Sequence, residues 1–155
     1  MKQILLSFLA ISFLFIACNK DDDEPQQPQV KDRMELLTSV AWQIDHLYQV
    51  QGGQKAYYDR GGSNNTYNYG SDLLKFNTDG SGTYTTSAGN SYTIEWQFDN
   101  AGKTEISYTI NGFPNGSLDI KLENVFLDEN NFRYAEMYTN NGLHTGGSVY
   151  RTPGK

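Results

Sequence analysis

From residue 42 onward the apolar side chains fall on alternate positions: Trp42, Ile44, Tyr48 and Val50, then Leu74 and Phe76, then Tyr84. The alternation is sharpest in Tyr92, Ile94, Trp96 and Phe98, and it continues through Ile106, Tyr108 and Ile110 and through Leu118, Ile120 and Leu122. A period of two gives each strand one dry face and one wet face. Phe132 and Tyr134 add a strand after the Asp128-Glu129-Asn130 turn, and residues 148–151 add a last one whose inward face the pattern does not assign. No long apolar period of 3.6 residues occurs, so the expectation is an all-β domain. One short helix is predicted over 33–39, where Asp32 and Glu35 have the spacing of a capping box ahead of Leu36 and Leu37.

The turns constrain how these strands meet, because a slip of one residue in any hairpin turns the wrong face inward. Asp79-Gly80-Ser81 pairs Phe76 with Tyr84, and Ser87-Ala88-Gly89 pairs Tyr84 with Tyr92. The loop over 99–103 pairs Trp96 with Ile106 and Ile94 with Tyr108, and the segment over 111–117 pairs Ile110 with Leu118. Each pairing joins an inward residue to an inward residue, which predicts a meander of eight antiparallel strands. A one-sided meander either closes into a barrel, which removes its edges, or remains an open twisted sheet packed on something else; closure is the expectation.

The first eighteen residues follow a different rule. Lys2 precedes an apolar stretch, Ile4 to Ile16, that is interrupted only by Ser7 and Ser12. Thirteen residues are too few to span a bilayer as a helix, which takes roughly 20, and a basic start with a short apolar core reads as a signal peptide. The core ends in Leu14-Phe15-Ile16-Ala17-Cys18, which resembles the bacterial lipobox. That resemblance implies cleavage before Cys18 and lipidation of its thiol, an effectively permanent anchor at about 0.8 kcal/mol per buried CH₂. Cys18 is the only cysteine, so no disulfide is available and the fold rests on packing.

Residues 19–33 begin Asn19-Lys20-Asp21-Asp22-Asp23-Glu24 and continue with proline and glutamine. Adjacent carboxylates repel, and nothing there can be buried, so the expectation is a tether. The acidic run also resembles an export signal for outer-membrane lipoproteins, which implies an outer-membrane, cell-surface location; a solvated spacer facing the periplasm has the same composition. The whole chain has 12 Lys and Arg against 18 Asp and Glu, a net charge of −6 that becomes −7 when Lys2 leaves with the signal. Such a surface repels phosphate backbones, so nucleic acid is excluded as a partner.

Residues 34–155 are long enough for one domain with its own core. The helix, Trp42 opening the first strand, the long first loop, the hairpin at Asp79-Gly80 and Arg151 near the end together resemble a bacterial lipocalin-like domain. The resemblance implies a small eight-stranded up-and-down barrel. In it Trp42 packs at the base and Arg151 lies across its ring as a cation–π contact, both in structural roles.

Barrels of this class hold guests inside or at the mouth, and eight strands leave an interior either filled by side chains or able to take one small molecule. The inward tyrosines, Tyr48, Tyr84, Tyr92, Tyr108 and Tyr134, and Trp96 would suit an amphipathic or hydrophobic guest, each bringing an apolar body with a polar tip. They would equally fill the barrel themselves. The segment from Gln51 to Ser71, at twenty-one residues, is too long for a hairpin connection and is the expected seat of recognition, either as a lid or as a surface excursion with its own short strand pair. Tyr57, Tyr58, Arg60, Tyr67 and Tyr69 stand there among Gly, Asn and Ser, a composition suited to binding. A glycan, or a protein partner engaged by a filled barrel, is the alternative.

Catalysis finds little footing in the sequence. His46 falls on the inward alternation of the first strand, and His144 falls in the turn over 140–147. Neither a Gly-x-Ser-x-Gly elbow nor a phosphate-binding glycine loop occurs, Glu95 and Glu105 alternate outward, and no spacing of ligand residues predicts a metal or other cofactor.

Overall fold

The computed structural model describes residues 31–113 and 116–154. The expected signal peptide, Cys18 and the expected tether up to residue 30 lie outside the described residues. The folded unit begins at Lys31.

The helix α1 spans Arg33–Ser39 as expected. Seven residues are too few to hold a helix in water alone, and its contacts supply the rest. Leu37 is fully buried, its carbonyl accepts from Trp42 Nε1 at 2.9 Å, and Arg33 donates to the carbonyls of Lys103 and Val125 at 3.0 and 2.8 Å. The capping box does not form. Asp32 makes no side-chain cap and its carboxylate instead meets Lys103 Nζ at 2.7 Å.

Nine strands follow: β1 (Ala41–Gln51), β2 (Gln54–Asp59), β3 (Leu73–Phe76), β4 (Ser81–Thr85), β5 (Ser91–Phe98), β6 (Ile106–Phe113), β7 (Gly116–Leu127), β8 (Phe132–Asn140) and β9 (Leu143–Pro153). β1 and β3 to β9 are the eight expected strands, each antiparallel to the next, and β9 pairs back onto β1 to close an up-and-down barrel. The even positions from Leu74 to Leu122 are its dry face. Leu74, Phe76, Ile106 and Leu122 have no exposed surface, and Ile94, Trp96, Tyr108, Ile110, Leu118 and Ile120 are all buried.

Two hairpin registers are as the turns predicted, Tyr84 opposite Tyr92 and Ile110 opposite Leu118. Two are displaced by two residues, which preserves the face but changes the partner. Leu74, not Phe76, lies opposite Tyr84, and Phe76 lies opposite Gly82. Trp96 lies opposite Tyr108, Phe98 opposite Ile106 and Ile94 opposite Ile110. In the first hairpin the glycine leaves room: a Cβ on Gly82 would stand 2.7 Å from Ile94 Cγ1, so the bulky Phe76 and Ile94 meet over a residue without a side chain. In the second, Asp99 N bonds Glu105 O at 3.0 Å, so the turn runs over 100–104 rather than 99–103, and a shift of one residue in the turn moves each β6 partner by two.

Register shifts interrupt β1, β6 (between Ile110 and Phe113) and β7, and those in β1 and β7 reverse the alternation. Between Ile44 and His46 one extra residue, Asp45, enters β1, so Trp42 and Ile44 point in but so do Leu47 and Gln49, while His46 and Tyr48 turn outward. In β7 Asn124 adopts φ 54°, after which Val125 and Leu127 replace the even positions inside. In β9 the inward set is Thr145, Val149 and Arg151.

Closing a barrel requires a stagger, and the stagger leaves a step. β1 pairs with β3 only over Ala41–Gln43, so its upper half overshoots β3. The strand β2, inside the long first loop, fills that step by pairing with His46–Gln51. Its outer edge is covered by side chains: Asn65 bonds Asp59 N and O at 2.8 and 2.9 Å, and Thr66 takes Tyr57 N through its hydroxyl and gives its own N–H to Tyr57 O.

The base of the barrel is solid. Trp42 packs on Phe132 with ring centroids 5.4 Å apart, Phe132 on Phe76 at 6.1 Å, and Phe76 edge-on to Trp96 at 5.2 Å and to Tyr108 at 6.2 Å. Such pairs add about 0.5–1.5 kcal/mol each beyond burial. Space for a guest therefore has to be sought toward the other end.

Candidate functional site

The mouth end is formed by the β1–β2 hairpin, the crossover segment 60–72 and the tips of β6, β7, β8 and β9. A pocket of about 240 Å³ opens there. One side is Gln49, Gln51, Gln54, Lys55 and Ala56; Tyr67 and Tyr69 of the crossover form the roof; Phe113, Leu118, Tyr138 and Asn140 form the far wall. Tyr69 stands nearly perpendicular to both neighbours, at 86° to Tyr58 and 74° to Tyr67. Phe113 is backed by Tyr92 at 5.4 Å.

Below this pocket lies a polar layer. Gln49 Nε2 donates to Glu136 Oε1 at 3.2 Å, and Arg151 Nε donates to the Tyr134 hydroxyl at 2.7 Å. Asp72, with 2% of its surface exposed, accepts from the Tyr84 hydroxyl at 2.6 Å and from Ser87 N and Oγ at 2.5 and 2.6 Å. Burial pushes the Glu136 carboxyl up to about 7, with the Arg151 charge pulling the other way. Burial likewise raises Tyr69 and Tyr84 above the ordinary phenol range, so their hydroxyls remain donors throughout the physiological range.

The expected binding residues disperse over this frame. Tyr67 and Tyr69 line the mouth pocket. Tyr92 supports it from behind. Tyr48 and Tyr57, directly opposite each other on β1 and β2, face outward with 43% and 47% of their surface exposed, because the Asp45 bulge turned Tyr48 over. Tyr58 is the inward residue of that pair of strands and is buried in the wall. Arg60 is occupied with backbone: its guanidinium donates to the carbonyls of Ile44 and Gly70 and pairs with Asp45 at 3.3 Å, which pins the bulge. Tyr84 is tied to Asp72. Trp96 and Tyr108 belong to the packed base, Trp96 donating to the carbonyls of Asn77 and Ser81 at 3.0 Å.

Trp42 and Arg151 also differ from expectation in how they meet. Arg151 is buried and reaches Trp42 through its carbonyl oxygen, 3.2 Å from Nη1, rather than across the ring. The cation–π contacts among the described residues involve Lys103 and Arg133. His46, expected inward, stands outside between Asp45 at 3.0 Å and Asp59 at 2.7 Å. His144 lies on β9 rather than in a turn, bonded to Thr139 Oγ1 at 2.9 Å.

Gln49, Phe113, Leu118, Tyr138 and Glu136 are the site residues that sequence reasoning missed. Glu136 had a signal: continuing the alternation of Phe132 and Tyr134 by two and four residues places Glu136 and Tyr138 inside. Gln49 had none, since the bulge alone brings it in.

The outer wall carries further depressions. One of about 370 Å³ lies over β1, β2, β8 and β9, between Tyr48, Tyr57, Asn124, Arg133 and Tyr150. There the His46 ring stacks on Tyr150 at 5.5 Å, and the Arg133 guanidinium lies 4.5 Å from the same ring. A broader one of about 880 Å³ crosses β6 to β9. Its outward side chains, Ser107, Thr109, Asp119, Lys121 and Thr139 among them, are small or solvated, and its volume comes from the saddle curvature of a twisted sheet. Among the described residues no group of three or more His, Cys, Asp or Glu side chains is placed to hold a metal ion.

Comparisons with protein-family models, with curated proteins and with solved structures find no match for this chain.

Proposed function

We propose that this protein is a lipoprotein, anchored to the outer membrane through acylated Cys18 and displayed at the cell surface, whose barrel takes a small amphipathic or hydrophobic molecule at its mouth. The observation that carries the binding half is the mouth pocket, where aromatic rings and amide tips converge on one concavity above a packed base. Its 240 Å³ falls just short of the roughly 300–1,000 Å³ of ordinary ligand pockets, so the guest is small or only partly enclosed. Binding without chemistry fits this site, since Glu136 lies beneath Gln49 and the histidines are elsewhere.

The test is titration of the full chain with a neutral solvatochromic dye such as Nile red, against Leu118→Trp, which fills the pocket. Saturable binding lost in Leu118→Trp is expected. Absence of saturable binding, together with native mass spectra free of any small molecule, overturns the reading. For the anchor, Cys18→Ser is expected to move the protein out of the membrane fraction, and protease treatment of intact cells is expected to digest the wild-type domain.

The outer depression favours a second reading, a glycan- or protein-binding accessory. Tyr48 and Tyr57 present exposed rings beside Arg133 and Asn124, a combination of aromatic faces and polar edges that recognition surfaces use. Loss of binding to cell-envelope extracts in Tyr57→Ala, with dye binding intact, would separate it from the first.

A further inference from the structure

We infer that the guest of the mouth pocket carries a positively charged amine or quaternary ammonium group, held among Tyr67, Tyr69, Phe113 and Tyr138 above the Gln49–Glu136 pair. The inference rests on the reading of the mouth as a binding site and names the class of molecule it takes.

The pocket wall is the first ground. Four aromatic rings border a space of about 240 Å³, and two of them, Tyr67 and Tyr69, stand at 74° with centroids 6.3 Å apart. Rings set at such angles form a corner rather than a stack. Each aromatic face is the negative part of a quadrupole, so a corner of rings attracts a cation and gives no comparable gain to a neutral group of the same shape.

The second ground is the polar layer underneath. Among the described residues the buried charged side chains are Asp72, Glu136 and Arg151, two acids to one base. Asp72 is fully engaged by Tyr84 and Ser87. Glu136 accepts only from Gln49, and the Arg151 guanidinium is directed at Tyr134 and the Trp42 carbonyl instead. With Glu136 ionised the interior is thus one cation short, and the amide of Gln49 connects that deficit to the pocket. With Nε2 given to Glu136, Oε1 is the acceptor left on the Gln49 amide, and Gln49 and Tyr138 both line the pocket. A cation at that point answers the Glu136 carboxylate through one intervening amide.

Lys55 is the one cation on the lining. It is exposed, on the outward face of β2 at the rim, so it disfavours a guest whose charge remains at the rim and favours one whose charged end points down. A carboxylate guest would meet the opposite arrangement, with its charge drawn to the rim and repelled from the floor.

Glu136 supplies a readout that packing alone would not give. The titratable groups facing it are Arg151 on β9, Tyr134 and Tyr138 on its own strand, Tyr108 on β6, Tyr84 on β4 and Tyr69 on the crossover. The phenols stay protonated and the guanidinium charged across neutral pH, so the carboxyl is the group whose state changes there. Occupation by a cation favours its ionised form, and affinity therefore rises with pH until Glu136 is ionised in the empty protein as well.

The experiment compares choline with 3,3-dimethylbutan-1-ol, which replaces the nitrogen by carbon, and with 3,3-dimethylbutanoate, by calorimetry on the full chain. Choline is expected to bind at least tenfold more tightly than the alcohol, and the carboxylate more weakly than either. The choline affinity is expected to increase between pH 6 and 8. In Glu136→Gln, which retains an acceptor for Gln49, the preference for choline should fall below threefold and the pH dependence should disappear. Tyr67→Ala, at an exposed position that the fold does not need, should weaken choline at least fivefold. Equal affinity for choline and the alcohol, both lost in Leu118→Trp, overturns the cationic class while the mouth remains the site. Choline binding that survives Leu118→Trp removes the cation site from the mouth and overturns the inference, while the mouth reading stands or falls with Nile red. Absence of binding by all three probes, with Nile red still bound and displaced by Leu118→Trp, overturns the cationic class alone.

Discussion

Arg151 Nη1 lies 3.2 Å from the carbonyl oxygen of Trp42, across 109 residues of sequence. The contact joins the start of the first barrel strand to the end of the last, between two buried residues. Arg151→Met keeps most of the side-chain volume but leaves the Trp42 carbonyl and the Tyr134 hydroxyl without their donor. Bonds to charged donors contribute about 1.5–3 kcal/mol each, and the variant is expected to lose roughly 3 kcal/mol. The midpoint of urea unfolding, followed by tryptophan fluorescence, measures it; an unchanged midpoint would show the contact to be incidental.

Glu136 gives the barrel an unusual pH response. A carboxyl lowered on folding adds stability as pH rises, but burial holds this one up at about 7 against an ordinary 4.5, so the folded state binds the proton more tightly than the unfolded one. The stabilisation from this group is complete below about pH 4.5, declines from there to about pH 7 and is gone above it, a loss of roughly 3 kcal/mol at 1.4 kcal/mol per unit. In Glu136→Gln the difference between pH 5 and pH 7.5 should shrink by about 2–2.5 kcal/mol, the part of that loss that falls between the two values. Thermal melts of both proteins at the two values decide it.

Tyr84 and Asp72 hold the crossover segment to the barrel. Removing one hydroxyl in Tyr84→Phe deletes the 2.6 Å bond to a carboxylate that is almost wholly buried, at a cost of about 1.5–3 kcal/mol. The effect is expected to be local. Limited proteolysis should cut within 60–72 at least several-fold faster, while the unfolding midpoint of the barrel moves less. Equal changes in both would mean that the segment is part of the core.

Two adjacent glycines in β9 should behave in opposite ways. A Cβ on Gly147 would stand 2.2 Å from the Tyr48 carbonyl oxygen and 2.8 Å from Gln49 Cα, whereas one on Gly146 would meet nothing within 4 Å. Backbone cannot swing aside as a flexible side chain can. Gly147→Ala is therefore expected to cost 3 kcal/mol or more, at the upper end of overpacking effects, and Gly146→Ala to stay within about 0.5 kcal/mol. Comparable melting temperatures for the two variants would contradict the close approach of β9 to β1.

The face of each strand from Leu74 to Leu122 was legible because a period of two survives any even error of register, as the Phe76 and Trp96 pairings illustrate. What the pattern lacked was any mark for an inserted residue. Asp45 is polar on a polar position, so nothing in the alternation announces the bulge that exchanges Tyr48 for Gln49 inside the barrel. Asn124 carried a faint sign, being a residue type that tolerates a left-handed backbone. Tyr67 and Tyr69 were legible as aromatics in an overlong loop. The far wall was not, since Phe113, Leu118 and Tyr138 come together only through the strand order and stagger of a closed sheet, neither of which is local information.

The strand β2 is the one place where the described sheet ends in a single neighbour, and Asn65 and Thr66 occupy the polar groups of its outer side at Tyr57 and Asp59. A bare row of amides at that position would be a template for strand addition by another molecule. With that stretch of the template taken up by the chain's own asparagine and threonine, neighbouring molecules crowded side by side find less backbone to zip onto, and each barrel keeps its entrance to itself.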